Sequence, residues 1–191
     1  MRKILPATFF NKPTLAVARG LLGKYLVRKW RGKGLSLLIT EIEAYDGPND
    51  LASHASHGLT PRTKIMFGPA GRFYVYFTYG MYWLVNIVTG PKNYPAAILI
   101  RAGKYYDSKK QGWTLVNGPA RLTKFLHITG VQNGNFADHK TGLWFENRGI
   151  RVVTKDIIAG KRIGIDYAGP VWKNKPYRFN LKGRQELDKL R

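Results

Sequence analysis

Residues 40–58, TEIEAYDGPNDLASHASHG, gather Glu41, Glu43, Asp46 and Asp50 within ten positions and set His54 and His57 directly behind them. The chain holds 32 Lys+Arg against 11 Asp+Glu, a net charge of +21, so this is an unusual concentration of its acids. Such groups support two chemistries. One carboxylate, kept ionised, serves as a general base that activates water. Alternatively, two histidines at i and i+3 with Asp46 and Asp50 nearby offer oxygen and nitrogen ligands for a divalent metal. A purely structural role is a third reading, in which Glu41 and Glu43 are surface acids paired with Lys or Arg. If LSLLITEIEAY is a strand, its period of two puts Glu41, Glu43 and Tyr45 on one face and Ile42 and Ala44 on the other. A carboxylate beside a tyrosine ring, under a loop carrying two histidines, is the floor of a pocket. Burial there raises a carboxylate's pKa, and a basic field opposes that rise.

A second constellation follows. Between Phe73 and Trp83, seven of eleven residues are aromatic: Phe73, Tyr74, Tyr76, Phe77, Tyr79, Tyr82 and Trp83. Alternation sends Phe73, Val75 and Phe77 to an apolar core face, and Tyr74 and Tyr76 to the other. The tyrosine face reads either as core, since cross-strand tyrosines are ordinary, or as a binding wall. Tyr79 precedes Gly80 where a hairpin turns, which presents its ring at a tip. On a basic protein that ring is a candidate wedge for a gap opened in a nucleic acid. Asn86 interrupts an apolar run, where a buried amide needs hydrogen-bond partners.

The elements that position these residues are legible in outline. TLAVARGLL, with Pro13 ahead and Gly23 behind, reads as a short amphipathic helix. KYLVRKW and LSLLITEIEAY, separated by RGKG, read as a hairpin over 24–45. Residues 46–71 are rich in Gly, Pro, Asn and Ser and read as a long functional loop with one helical turn. RFYVYFTYGMYWLVNIV is a second hairpin, AAILIRA a buried strand, and PARLTKFLHI a helix. GIRVV and KRIGIDYAG are strand candidates, followed by the basic tail KNKPYRFNLKGRQELDKLR. Hairpins with a few helices predict an α+β fold: a single mixed domain over residues 1–191, around a curved, mainly antiparallel sheet.

At 44% hydrophobic and 13% aromatic residues the chain can bury a core, which excludes a disordered class. It has no cysteine, hence no disulfide, thiolate ligand or cysteine nucleophile. No apolar run approaches the ~20 residues needed to cross a bilayer. The segment MRKILPATFFNKP meets Pro6, Asn11 and Lys12 before a signal-type apolar core develops. A soluble intracellular protein without a membrane partner is expected. Its charge calls for a polyanion, foremost nucleic acid, because neutralising phosphates releases counterions.

The segments LLGKYLVRK, ITEIEAYDGPNDLASHA, TPRTKIMFGPAGRFYVYFTYGMYWLVNIV, AAILIRA, NGPARL and KRIGIDYAG resemble the alkyladenine-type (3-methyladenine) DNA glycosylases. They stand in that family's order and cover nearly the whole chain. The resemblance implies a monofunctional glycosylase of base excision repair. Such an enzyme flips an alkylated or deaminated purine from duplex DNA and hydrolyses its N-glycosidic bond, leaving an abasic site. It implies catalytic roles for Glu43, the general base, and Arg101, beside the water and the flipped nucleotide's backbone. Tyr45 would stack on one face of the base, His54 and Tyr76 would close the other, and Asn86 would disfavour guanine through its exocyclic amino group. Tyr79 would intercalate, with Gly80, Met81 and Arg62 as further DNA contacts. No metal or other cofactor is implied, and a monomer in the cytoplasm or nucleoid (the nucleus in a eukaryote) is expected. This chain departs from the family's habit in three places: RAGKYYDSKKQGW lacks a Glu-Pro pair after LIRA, Thr63 replaces an Asn, and Tyr82 replaces a His. The rivals are a noncatalytic nucleic-acid binder, a metal-dependent nuclease using Asp46, Asp50, His54 and His57, and a lyase working through a lysine Schiff base.

Overall fold

The computed structural model describes residues 2–183. Among these, ten strands are β1 (Lys3–Ile4), β2 (Tyr25–Trp30), β3 (Lys33–Asp46), β4 (Phe73–Thr78), β5 (Tyr82–Val88), β6 (Ala96–Asp107), β7 (Gly112–Asn117), β8 (Leu143–Asn147), β9 (Ile157–Gly160) and β10 (Arg178–Leu181). Four short helices accompany them: α1 (Ala7–Phe10), α2 (Thr14–Leu21), α3 (Pro119–Phe125) and α4 (Gly169–Trp172). The strands form one sheet, ordered β1-β8-β2-β3-β6-β5-β4, with β10 and β7 added to the long strands and β9 beyond β10. Every pairing is antiparallel, and the sheet curls into a half-barrel, the mixed α+β architecture expected.

The curl originates in β3 and β6, which pair from Leu38 to Asp46 against Ala96 to Lys104 and fork at their outer edges. One edge of β3 pairs with β2 over Lys33–Leu38 and with β10 over Glu41–Glu43. Likewise β6 pairs with β5 over Ala97–Leu99 and with β7 from Ala102 onward. The two long strands slip register between Ile39 and Ile42, and such irregularities bend a sheet. Gly103 makes the bend possible, since a Cβ there would collide with Leu37 Cδ2.

Period-two alternation divides the sheet's faces. Ile42, Ala44, Phe73, Val75, Ile98 and Ile100 join the main core, covered by Val17, Ala18 and Leu21 of α2, Leu122 of α3 and Phe145 of β8. The helix at Thr14–Leu21 and both hairpins stand where the patterns put them. Arg31 and Gly32 turn the first hairpin, both at positive φ (47° and 76°), the backbone of a type I′ turn.

The structure corrects four expectations. GIRVV forms no strand, and KRIGIDYAG is loop and 3₁₀ turn, the strand lying just before it at β9. The segment RFNL, read as basic tail, is strand β10, because the open edge of β3 supplies partners that composition does not reveal. The last eight residues of that tail lie outside the described residues. Phe77 leaves the core face and is 45% exposed, its ring tilted against Trp83 near the hairpin tip. Glu41 is no surface acid: it is 3% exposed, though paired as expected, with Arg101 and Arg178.

Candidate active site

Four residues on adjacent strands lie in register: Glu43 of β3 opposite Leu99 of β6, Leu99 opposite Asn86 of β5, and Asn86 opposite Tyr74 of β4. Directly opposed residues share a face, so this row points away from the main core. Tyr45, Tyr76 and Arg101, each two positions along its strand, extend the row. They line a cavity of about 400 Å³ together with His54 and Tyr79, within the ~300–1,000 Å³ common to small-molecule sites.

Glu43 sits under this cavity at 0% exposure. Its Oε1 accepts the backbone N–H of Ile163 at 2.8 Å. Its Oε2 accepts the Tyr45 hydroxyl at 2.9 Å and Arg101 Nη1 at 3.2 Å. Burial raises the carboxyl's pKa above the ordinary glutamate value, while Arg101, the Ile163 N–H and Tyr45 pull it back. A carboxylate offers about four acceptor positions, so three donors leave one lone pair for a water. Arg101 also donates from Nε to Glu41 Oε1 at 3.3 Å, and Arg178 Nη1 lies at the same distance from that oxygen. Glu41 thereby anchors the arginine that touches Glu43.

The walls are aromatic. Tyr45, whose phenol is held far from ionising by burial, forms one side. His54 and Tyr76 meet edge to face at 4.7 Å on another. His54 comes from a single 3₁₀ turn, His54–His57, capped by the Ser53 side chain, as one helical turn in the loop had predicted. Its Nδ1 lies 2.9 Å from the Tyr74 hydroxyl. Burial first, then the charges of Arg62 and His57, bring its pKa down to about 4, so the ring is neutral at physiological pH. Asn86 is buried with its Nδ2 donating to the Tyr74 carbonyl at 3.0 Å, which turns the amide's orientation into part of the sheet.

The long loop is clamped from behind. Asp50 and Arg162, both fully buried, form a bidentate ion pair (Nη2 to Oδ1 at 2.8 Å). Asp50 also accepts the N–H groups of Asp46 and Ala52. Arg162 donates to the Ala44 carbonyl at 2.8 Å and lies over the Tyr45 ring at 4.8 Å. The next residue, Ile163, supplies the N–H on Glu43. Thr63 is buried and ties Gly58 and Thr60 together.

At the mouth, Tyr79 is 81% exposed at the tip of the β4–β5 hairpin, as its place before Gly80 predicted. Its φ of +51° is rare for an aromatic residue; strain of this kind collects at functional positions. Met81 and Tyr82 beside it are exposed, as are Ile163 and Tyr167 across the opening. A rim of exposed apolar side chains around a pocket marks a contact surface. Arg62 lies with its guanidinium 4.9 Å from the Tyr76 ring centre.

Sequence reasoning thus brings Glu43, Arg101, Tyr45, His54, Tyr76, Asn86 and Tyr79 to one cavity, with Gly80, Met81 and Arg62 at its margin. It missed Arg162, the Ile163 N–H and Tyr167. The only signal for these lay in KRIGIDYAG, whose role depends on contacts with β3 120 residues earlier. The metal-ligand grouping does not assemble: Asp50 is taken by Arg162, and Asp46 Oδ1 accepts the Tyr94 hydroxyl at 3.2 Å.

Comparison with known proteins gives concordant results. Residues 8–185 match the family model of methylpurine-DNA glycosylase. A protein of Methanocella arvoryzae is 41% identical over 186 residues, covering 92% of this chain and 91% of its own length. One of Myxococcus xanthus is 42% identical over 185 residues, covering 97% and 93%. A third, of Carboxydothermus hydrogenoformans, is 41% identical over 196 residues, covering 97% and 99%. All three are provisionally named 3-methyladenine DNA glycosylase.

Proposed function

We propose how this pocket works from one established premise: the chain belongs to the methylpurine-DNA glycosylase family and is a DNA N-glycosylase of base excision repair. It acts as one domain and one monomer on duplex DNA inside the cell, on purines alkylated or deaminated: 3-methyladenine, 7-methylguanine, hypoxanthine and ethenoadenine. The observation that carries the mechanism is Glu43, buried and held by Tyr45, Arg101 and Ile163 beneath a cavity whose walls are aromatic.

The basic surface attracts the duplex, and Tyr79 enters the stack as the damaged nucleotide leaves it. Extruding a base costs a few kcal/mol, least for a damaged pair. Stacking is worth ~1–3 kcal/mol per base, so Tyr79 in the gap and Tyr45 on the flipped ring together offset most of it. Inside, Tyr45 covers one face of the base and His54 with Tyr76 the other. Asn86 stands against the exocyclic amino group of guanine. A water held on the free lone pair of Glu43 attacks the anomeric carbon and gives its proton to the carboxylate. The glycosidic bond breaks and its electron pair leaves with the purine. A ring-methylated purine departs neutral because that pair cancels its positive charge. Hypoxanthine departs as an anion and needs a hydrogen bond or proton from the wall. Arg101 faces the same water and the deoxyribose phosphate.

The test is a labelled duplex with one hypoxanthine, alongside randomly methylated DNA, in EDTA. Release of free base, with strand nicking only after alkali, is the expected result. Strand cleavage that appears only when EDTA is replaced by a divalent metal goes to the nuclease, binding without release goes to the noncatalytic reading, and a borohydride-trapped adduct goes to the lyase.

Two further outcomes are expected. The general base must be ionised, and burial lifts its pKa above the ordinary 4.5. Excision therefore declines as pH falls, and the acid limb of the single-turnover rate lies above pH 4.5; a limb at or below that value removes Glu43 as the titrating base. Tyr79→Ala, at an exposed tip, leaves thermal stability within about 0.5 kcal/mol. It weakens binding to damaged duplex roughly tenfold through lost stacking, and a collapse in melting temperature instead returns Tyr79 to a structural role.

A further inference from the structure

Resting on that reading of the pocket, we infer that Arg62 is a specificity residue: its charge, set behind the Tyr76 ring, weights the site toward neutral damaged purines and against cationic ones. Tyr76 lines the cavity and Arg62 does not, although its guanidinium lies 4.9 Å from the ring centre. The cation therefore occupies the ring's outer face. Tyr45 is built the same way: its ring lines the cavity, and Arg162, which does not, lies 4.8 Å from the ring centre. Each stacking surface thus already has a guanidinium drawing on its π-electrons, which weakens its attraction for a second cation.

The two arginines differ in what surrounds them. Arg162 is fully buried and its charge is cancelled by Asp50. Glu41 and Glu43 are likewise matched by Arg101 and Arg178. Arg62 has no carboxylate within ion-pairing distance among the described residues. The cavity wall therefore carries one uncompensated positive charge. A base stacked ~3.5 Å above the inner face of Tyr76 lies about 8 Å from that charge, with only a ring between. His54, in the same cavity, already registers this field, because Arg62 is the second cause, after burial, of its resistance to protonation. A purine with a formal ring charge meets the same opposition, and hypoxanthine or ethenoadenine does not.

A phosphate contact by Arg62 is the competing role, and the two separate experimentally. Single-turnover excision is measured on duplexes holding one hypoxanthine or one 7-methylguanine, at low and physiological salt, for wild type, Arg62→Gln and Arg62→Lys. Intrinsic differences between the bases cancel in the ratio of rates. The expected result is that Arg62→Gln raises the cationic-over-neutral ratio about three- to tenfold at low salt. That gain shrinks as salt screens the exposed charge. Arg62→Lys keeps the wild-type ratio. Equal losses on both duplexes, with an unchanged ratio, overturn the inference and leave Arg62 as a phosphate contact. A wild type that releases neither base fails earlier and removes the pocket reading itself.

Discussion

Glu43→Gln is expected to bind damaged duplex as the wild type does while losing roughly 10²–10⁴ of its excision rate, the usual contribution of a general base. The side chain keeps its length, and Tyr45, Arg101 and the cavity walls stay in place, so base capture is preserved. What disappears is the anion that accepts the proton of water. The site makes the experiment sharp in one further way. All three groups touching Glu43 are donors: the Ile163 N–H, the Tyr45 hydroxyl and Arg101. The new amide must aim its own N–H₂ at one of them, and an unsatisfied buried contact costs about 1–3 kcal/mol. A lowered melting temperature therefore accompanies the loss of rate, and activity is compared well below it. Near-normal turnover by a folded Glu43→Gln protein excludes Glu43 as the base.

The second large effect lies behind the pocket. Arg162→Met removes the cation from a fully buried ion pair and leaves Asp50 charged and unpaired at 0% exposure. Breaking such a pair from one side costs about 3–5 kcal/mol. In a chain of this size each kcal/mol is worth roughly 2–4 °C, so calorimetry should show a fall of about 6–20 °C. The damage is local before it is global. Asp50 orders the loop leading to His54 through the N–H groups of Asp46 and Ala52, and Arg162 packs on Tyr45 while its neighbour holds Glu43. An Arg162→Met protein that melts within a degree or two of wild type means that this clamp does not organise the loop.

Much of the site was readable because strands impose a period of two. Glu43 and Tyr45 had to share a face, and Tyr79 had to reach a tip, once the two runs were recognised as strands around turn residues. Asn86 was conspicuous as the one amide in an apolar run. By contrast, nothing local marked Glu41 as buried. Its environment comes from Arg101 on β6 and Arg178 on β10, which approach only when the sheet forks. Strand β10 was invisible for the same reason: four residues, RFNL, carry no period and become a strand because β3 has a vacant edge there. The LIRA departure resolves physically as well. The segment after LIRA continues β6 to Asp107 and pairs with β7.

By itself the sequence determined the chemistry available, the hairpins that carry it and the polyanion that +21 charges require, since composition and alternation are properties of the chain alone. The electrostatics of those groups came only with folding. Whether Glu43 is a solvated acid or a buried carboxylate held by Arg101 and the Ile163 N–H, and whether Asp50 is a ligand or half of an ion pair, depend on residues about 60–120 positions apart. Their burial and Coulomb terms exist only after the half-barrel has closed around them.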